Sequence, residues 1–280
     1  MNYGFYIIMA AQFFSSLADN ALLVAAIALL IQAEAPSWLT PYLKFFFVVS
    51  YVVLAPYVGA FADRLPKGQV MLIANTVKII GCLTMLWGSH PLIAYGIVGL
   101  GAAAYSPAKY GILTEYLPHR KLVVANGWIE GLTVASIILG TMLGGLLIHV
   151  RVSTELLSWN LPLIDTSIDT PAEAAIAIII VVYAIAALFN LEVPKTGVPL
   201  KKLPSHPIDT LKDFARCVNH LWRDRLGQIS LAVTTLFWGA GATLQFIVIE
   251  WARAALGFDL SKAAILQGVT AIERPAPTRW

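Results

Sequence analysis

The 280-residue chain is 58 % hydrophobic and only 12 % charged, with a formal net charge of +3 and a mean hydropathy of +0.74. Soluble domains carry about 25 % charged residues, so this composition excludes an ordinary soluble protein and indicates one that crosses a membrane several times. The basic residues stand in short loops between apolar segments, which argues against a nucleic-acid partner.

Seven apolar segments are long enough to cross a bilayer, which takes about 20 helical residues. We predict membrane-spanning helices over 5–31, 43–62, 69–87, 91–113, 123–149, 172–192 and 227–250. An eighth apolar segment, 263–272, is too short to cross, and Pro275 and Pro277 prevent its helix from continuing. The sequence therefore predicts a partial eighth helix and an aberrant polar tail at 273–280, as in a truncated or frame-shifted chain.

The loops between the predicted helices alternate in charge. The second, fourth and sixth loops are basic, whereas the odd-numbered loops hold only Lys44, at a helix edge, and Arg151. By the positive-inside rule, the even-numbered loops and the N-terminus are predicted to face the cytoplasm.

The long sixth loop divides the chain. Residues 1–193 are expected to form a six-helix bundle, 194–226 a basic cytoplasmic linker, and 227–272 the start of a second bundle. Within the linker, apolar residues recur at helical spacing among Lys and Arg: Ile208, Leu211, Phe214, Ala215, Val218, Leu221 and Trp222. This pattern predicts a basic amphipathic helix at the inner membrane surface; a plain solvated connector is the alternative.

Ionisable residues inside the predicted spans indicate a functional site, because a charge in hydrocarbon is costly and usually faces a protein interior or a wet cavity. Asp19 lies near the middle of the first span, and Lys78 lies inside the third. Lys109, after Pro107, belongs to the fourth and Glu130 to the fifth. The alternative is that these charges only form ion pairs that hold helices together.

A short motif marks the junction of the second and third predicted helices, where Gly59, Asp63 and Arg64 precede Lys67. We expect the glycine to let helices approach closely, and Asp63 to lie at the N-terminal end of the third helix, where the helix dipole favours an anion. The pattern G-x-x-x-D-R resembles the conformational loop signature of the major facilitator superfamily, although Leu65-Pro66 replaces part of the usual run.

Longer stretches are similar to the bacterial lysophospholipid transporter family. They are Ala18–Leu23, Gly101–Leu113, Ala125–Gly127 with Glu130, and Leu236–Gly241. The resemblance implies an all-α, twelve-helix major facilitator fold in the bacterial inner membrane, of which this chain holds the N-terminal six-helix bundle, helix seven and part of helix eight. It also implies that lysophosphatidylethanolamine-type lipids move toward the cytoplasmic leaflet by alternating access, for re-acylation by a lysophospholipid acyltransferase.

Such a cargo needs a cation for its phosphate, an anion for its amine and apolar walls among the surrounding membrane lipids. The candidate substrate-binding residues are Asp19, Asn20, Tyr105, Lys109, Asn126 and Glu130, with Lys78, Gln245 and Glu250 as secondary candidates. Gln245 stands where some family members have a basic residue, and its amide can hydrogen-bond a phosphate in place of an ionic contact.

Two other functions stay open. A proton-coupled exporter of drugs or metabolites would use Asp19 or Glu130 as its protonation site. A membrane-bound lipid-modifying enzyme would need a nucleophile or a base held by a partner, and the sequence has neither a G-x-S-x-G nor an H-E-x-x-H motif. We therefore predict a transporter and not an enzyme, with no cofactor and no metal. Because the second bundle is incomplete, we also predict that this chain alone does not move lipid.

Overall fold

The structure, a computed structural model, describes residues 3–158, 170–200 and 207–272, and within these ranges it does not place the side chains of 156–158 and 268–272. The described residues form α-helices and no strands. The helices are α1 (Tyr3–Gln32), α2 (Leu39–Arg64), α3 (Lys67–Leu86), α4 (Pro91–Tyr116), α5 (His119–Leu147), α6 (Val150–Ser158), α7 (Pro171–Leu191), α8 (Pro207–Arg223), α9 (Arg225–Leu256) and α10 (Leu260–Ile272).

Seven of these helices are long and apolar enough to cross a membrane, namely α1 to α5, α7 and α9. They coincide with the seven predicted spans, and α10 occupies the place of the partial eighth helix, so the predicted all-α, multi-pass fold is confirmed. Several helices extend past the apolar stretch that predicted them. In α9, the helix continues through Glu250 and Arg253 and ends at Gly257, whose φ of 64° closes it with a left-handed cap.

Helix α1 lies at the centre of the bundle. It packs against α5 and α7, while α4 packs against α2 and α3, and α3 also contacts α7. A helix that is apolar on every side is expected to be buried, and 67 % of the most apolar stretch of α1 is buried, against 11 % for α9. The central helix therefore presents its polar residues to a protein interior.

Helices α1 and α5 are held together at close range. A Cβ added at Gly140 would lie 2.5 Å from the carbonyl oxygen of Leu17, and one at Gly144 would lie 2.7 Å from that of Ala21. Small residues spaced four apart allow two backbones to approach in this way. In addition, the Gln12 amide donates hydrogen bonds of 2.7 Å to the Thr133 hydroxyl and 3.2 Å to the Ile129 carbonyl.

The loops differ in part from the sequence-based expectation. Helix α6 lies in the loop between the fifth and sixth predicted spans, for which the sequence analysis predicts no helix. Helix α7 begins with a capping box in which the Thr170 hydroxyl accepts from the Glu173 backbone N–H at 3.3 Å. Asp165 and Asp169 of that loop, Lys201 and Lys202 of the linker, and the predicted tail 273–280 lie outside the described residues.

The linker contains α8, which has no buried residue and contacts α2 and α9. Its apolar side chains are exposed: Ile208, Leu211, Phe214, Val218, Leu221 and Trp222. The helix is therefore present at the predicted place, whereas its position at a membrane surface stays a prediction.

Candidate functional site

A cavity of about 500 Å³ opens among the spanning helices, a volume in the usual range for small-ligand sites of about 300 to 1,000 Å³. Its lining combines charged, hydroxyl and aromatic side chains from α1 to α5 and from α9. The lining residues are Gln12, Ser15, Ser16, Asp19, Asn20, Lys44, Phe47, Val48, Tyr51, Lys78, Tyr95, Ala102, Tyr105, Ser106, Lys109, Tyr110, Thr133, Ile137 and Trp238.

A buried ion pair lies in this cavity wall. The Lys78 ammonium donates to Asp19 Oδ2 at 2.8 Å and to Ser15 Oγ at 2.9 Å. The Lys78 side chain is 1 % exposed and that of Asp19 18 %. Because a desolvated charge must be compensated at close range, this pairing explains how both groups exist inside the spans. Lys78, a secondary candidate for binding phosphate, therefore has its ammonium engaged by Asp19.

Two tyrosines complete the surroundings of Asp19. The Tyr183 hydroxyl on α7 donates to Asp19 Oδ1 at 2.6 Å, and the Tyr95 hydroxyl on α4 donates to the Asp19 backbone carbonyl at 3.3 Å. A Cβ added at Gly101 would lie 2.7 Å from Lys78 Cγ, so the lysine reaches Asp19 only because residue 101 lacks a side chain. Side chains of two helices, α3 and α7, thus hold the Asp19 carboxylate, and α4 bonds the Asp19 backbone.

On the α4 side of the cavity, the side chains are less fully engaged. The Lys109 ammonium lies 4.6 Å from the centroid of the Tyr110 ring, a cation–π distance. The Tyr110 hydroxyl donates to Glu130 Oε1 at 2.8 Å, which connects this side to α5. Among the described residues, the buried Tyr105 hydroxyl and Gln12 Oε1 have no hydrogen-bond partner.

The structure brings together Asp19, Asn20, Tyr105, Lys109 and Lys78 of the predicted site residues. The Asn20 amide donates to the Ser16 carbonyl at 2.8 Å. The remaining candidates lie outside the lining. Glu130 is exposed beside Tyr110 and Asn126 is exposed on α5, Gln245 is buried on α9, and Glu250 is exposed 3.8 Å from Arg253.

Sequence reasoning missed several residues of this site, above all Lys44 and Tyr183. The predicted helix begins at residue 43 and so puts Lys44 at a helix edge, whereas α2 begins at Leu39 and places Lys44 in its second turn and in the cavity wall. Tyr183 lies within an apolar run. The sequence could have indicated its role in one way only, because a buried tyrosine hydroxyl needs a hydrogen-bond partner.

The loop motif forms a second charged cluster. Asp63 lies in the last turn of α2 and not at the start of α3, so the expected position at a helix N-terminus is wrong. The Lys67 ammonium lies 2.7 Å from Asp63 Oδ1, 3.4 Å from Glu115 Oε1 and 2.8 Å from the Ala62 carbonyl oxygen. These contacts supply the compensation that an anion needs near the negative end of the α2 dipole.

The other two motif residues have looser surroundings. Arg64 is exposed. Gly59 does not mark a close helix approach among the described residues, since an added Cβ there meets no atom within 4 Å. The segment 194–200 and the charged cluster line a cavity of about 340 Å³. There the Thr196 hydroxyl donates to Glu115 Oε2 at 2.7 Å.

Comparison with known proteins places this geometry in context. The family model described as Major Facilitator Superfamily matches residues 8–272. The chain is 41 % identical over 270 residues to the lysophospholipid transporter LplT of Yersinia enterocolitica, which covers 96 % of this chain and 62 % of that protein. It is 40 % identical over 266 residues to the protein of the same name from Pectobacterium carotovorum, covering 95 % and 60 %. The chain thus spans about three fifths of the length of these relatives.

Two solved structures share the fold. They are crystal structures of a bacterial homolog to the human lysosomal transporter Spinster, both inward-facing. The TM-score is 0.67 for the occupied conformation and 0.64 for the unoccupied one, each at 16 % identity and covering 96 % of this chain. The matched region makes up 58 % of the occupied chain and 59 % of the unoccupied one. The named relatives are transporters, in agreement with the prediction that the chain is not an enzyme.

Proposed function

The chain belongs to the major facilitator superfamily, and on this premise we propose that it serves lysophospholipid transport. Its cavity binds a lysophosphatidylethanolamine-type lipid, and alternating access between two bundles carries that lipid toward the cytoplasmic leaflet when the second bundle is complete. The single observation that carries the proposal is the cavity lined by α1 to α5 and α9, where charged groups for a headgroup adjoin apolar walls for one acyl chain.

The headgroup finds complementary groups in this cavity. The Lys109 ammonium can bind the phosphate, because no carboxylate of the described residues lies within ion-pair distance of it. Asp19, although paired with Lys78, keeps part of its surface in the cavity and faces the lipid amine. The unpartnered atoms of Tyr105 and Gln12 supply neutral hydrogen bonds, and a bound lipid removes the cost of leaving them unsatisfied.

The acyl chain has its own surface in the same cavity. Phe47, Val48, Tyr51, Ile137 and Trp238 line it with apolar or aromatic groups. Burying one methylene group away from water contributes about 0.8 kcal/mol, so a lipid with one acyl chain gains affinity from these walls. Its phosphate binds at the charged end of the cavity.

The remaining candidate residues receive subsidiary roles in the proposal. Glu130 orients Tyr110 beside Lys109 through their 2.8 Å hydrogen bond. Asn126, Gln245 and Glu250 contact the lipid in a second conformation of the transport cycle. The loop motif of Gly59, Asp63 and Arg64, with Lys67, changes its contacts between these conformations.

The proposal also includes a location and a downstream partner. We place the protein in the bacterial inner membrane, with a cytoplasmic N-terminus and with α8 lying on the inner surface through its exposed apolar side chains. The division into a first bundle at 1–193, a linker at 194–226 and a second-bundle segment at 227–272 belongs to the same proposal. A lysophospholipid acyltransferase on the cytoplasmic side consumes the delivered lipid.

A binding experiment tests the function. The purified protein in nanodiscs is titrated with labelled lysophosphatidylethanolamine, with the corresponding diacyl lipid as competitor. We expect saturable binding that the diacyl lipid does not displace, and about a tenfold loss of affinity for Lys109→Met, since a hydrogen bond to a charged group is worth about 1.5 to 3 kcal/mol. Lys121→Met is the matched control, because Lys121 is an exposed lysine at the start of α5.

Two outcomes count against the proposal. Equal binding of the diacyl lipid would remove the argument for a single-tailed cargo. If transport in vesicles instead stops when the proton gradient is collapsed, and Asp19→Asn removes that dependence, the buried carboxylate serves a proton-coupled exporter of drugs or metabolites.

A further inference from the structure

The cavity carries more positive than negative charge. Three lysines line it, Lys44, Lys78 and Lys109, together with one carboxylate, Asp19. The Asp19–Lys78 pair, at 2.8 Å, is neutral as a unit. In the part of the chain that the structure describes, neither Lys44 nor Lys109 has a carboxylate within 4 Å. Two cations without an ion-pair partner in one cavity attract the phosphate of a ligand.

The two uncompensated lysines lie toward opposite ends of the cavity. Lys44 lies in the second turn of α2, and its ammonium is 5.6 Å from the centroid of the Phe47 ring. Phe47 in turn lies level with Gly99 of α4, where an added Cβ would come 2.6 Å from the Phe47 carbonyl oxygen. With a helical rise of 1.5 Å per residue, the Cα atoms of Lys44 and Lys109 are about 20 Å apart along the bundle.

We propose that Lys44 is a second phosphate-binding residue of the cavity. It holds the phosphate of the cargo lipid toward the start of α2, Lys109 holds it toward the end of α4, and the neutral Asp19–Lys78 pair lies between them. This inference rests on the proposed function. Two similar cations give the ligand similar affinity at both positions, so that it can move from one to the other. Conduction through several binding sites has the same requirement.

The competing role for Lys44 is a purely structural one. A lysine near a helix end often extends its ammonium to the lipid headgroups of the surrounding bilayer. Such a snorkelling lysine contributes to insertion and not to cargo binding. The two roles differ in their effect on ligand binding. Only a cation in the cavity raises the affinity for a ligand with a phosphate over that for a ligand without one.

The test compares two probes with the same acyl chain, lysophosphatidylethanolamine and a monoacylglycerol, which lacks the phosphate. Both are titrated into the purified protein in nanodiscs. We expect Lys44→Gln to weaken lysophospholipid binding about tenfold, as the loss of one charge-assisted hydrogen bond implies, and to leave monoacylglycerol binding unchanged. Lys44→Arg retains the charge and is expected to retain most of the affinity.

The matched control is Lys262→Gln. Lys262 is an exposed lysine near the start of α10 and is not part of the cavity lining. Its neutralisation is expected to change neither affinity.

Each remaining result contradicts a defined part of the argument. If Lys44→Gln binds lysophospholipid as the unmodified protein does while Lys109→Gln binds weakly, Lys44 is a snorkelling lysine and the proposed function stands. If Lys44→Gln weakens both probes equally, Lys44 has a structural role and the inference fails. If the unmodified protein does not prefer the phosphate-bearing probe, the proposed function itself fails.

Discussion

Helix α3 carries two buried lysines, Lys67 and Lys78, and their surroundings are instructively different. The two residues are separated by about three turns and therefore lie on the same side of the helix. The Lys67 ammonium lies near two carboxylates, of Asp63 and Glu115, whose side chains are 38 % and 21 % exposed. The Lys78 ammonium has one carboxylate, Asp19, whose side chain is 18 % exposed. The lysine side chains themselves are 5 % exposed for Lys67 and 1 % for Lys78.

The comparison predicts that similar ion pairs on one helix contribute unequally to stability. Near the loop, water reaches both acids around Lys67 and shares in their solvation. Around Lys78, solvation comes from fixed protein groups, namely Asp19, Ser15 and the rings of Tyr105 and Tyr183, at 5.1 and 5.5 Å. The first cluster connects a loop to its neighbours, whereas the second keeps a charge inside the membrane-spanning region.

The largest effect is expected for Lys78→Met, because it leaves the Asp19 carboxylate buried without its cation. Removing one partner of a buried pair costs about 3 to 5 kcal/mol. Thermal unfolding of the purified protein in detergent measures the loss. The double variant Asp19→Asn with Lys78→Met removes both charges and is expected to recover much of the stability; a single variant as stable as the unmodified protein would contradict the pairing.

A smaller effect is expected for Tyr183→Phe. This change removes the 2.6 Å hydrogen bond to Asp19 Oδ1 and keeps the ring, at a cost of about 2 kcal/mol for a bond to a charged acceptor. Tyr95→Phe is the control, since its 3.3 Å bond goes to a backbone carbonyl and is expected to matter less. Equal melting temperatures for the two variants would show that the carboxylate does not depend on Tyr183.

Lys67→Met is expected to lower the free energy of unfolding by about 1 to 2 kcal/mol, less than Lys78→Met does. The reason is that water partly solvates the two carboxylates left without their cation. Salt sharpens the contrast. Exposed charges are screened over about 10 Å at 0.1 M ionic strength, so raising the salt concentration should reduce the effect of Lys67→Met and leave that of Lys78→Met nearly unchanged. Equal salt dependence in both melting series would remove the distinction drawn between the clusters.

The smallest effect is expected for Thr196→Val, which removes the hydroxyl that donates to Glu115 at 2.7 Å. The loss is about 1 kcal/mol for one partly exposed hydrogen bond. Limited proteolysis of the segment 194–200 is the sensitive measurement, since this segment loses a polar attachment to α4. Cleavage at an unchanged rate would show that other contacts hold the segment.

Much of the fold and part of the site follow from the sequence alone. Runs of about 20 apolar residues suffice to predict the spans, and the rarity of charge within them directs attention to Asp19 and Lys109. The hydrogen-bond partners of these residues cannot be predicted from the sequence, because Tyr183 lies 164 residues from Asp19 along the chain and no local pattern connects them. The sequence predicts Asp63 in the wrong helix, because charged residues end an apolar run without ending the helix.

The close contact of α5 with α1 at Gly140 and Gly144 has a consequence for motion. Two backbones at this separation collide when either helix rotates about its own axis or slides by one residue. The two helices therefore move together, and probes attached one to each should report a constant spacing throughout a transport cycle. This pair supplies an internal reference frame against which the displacement of every other helix becomes measurable by spectroscopy.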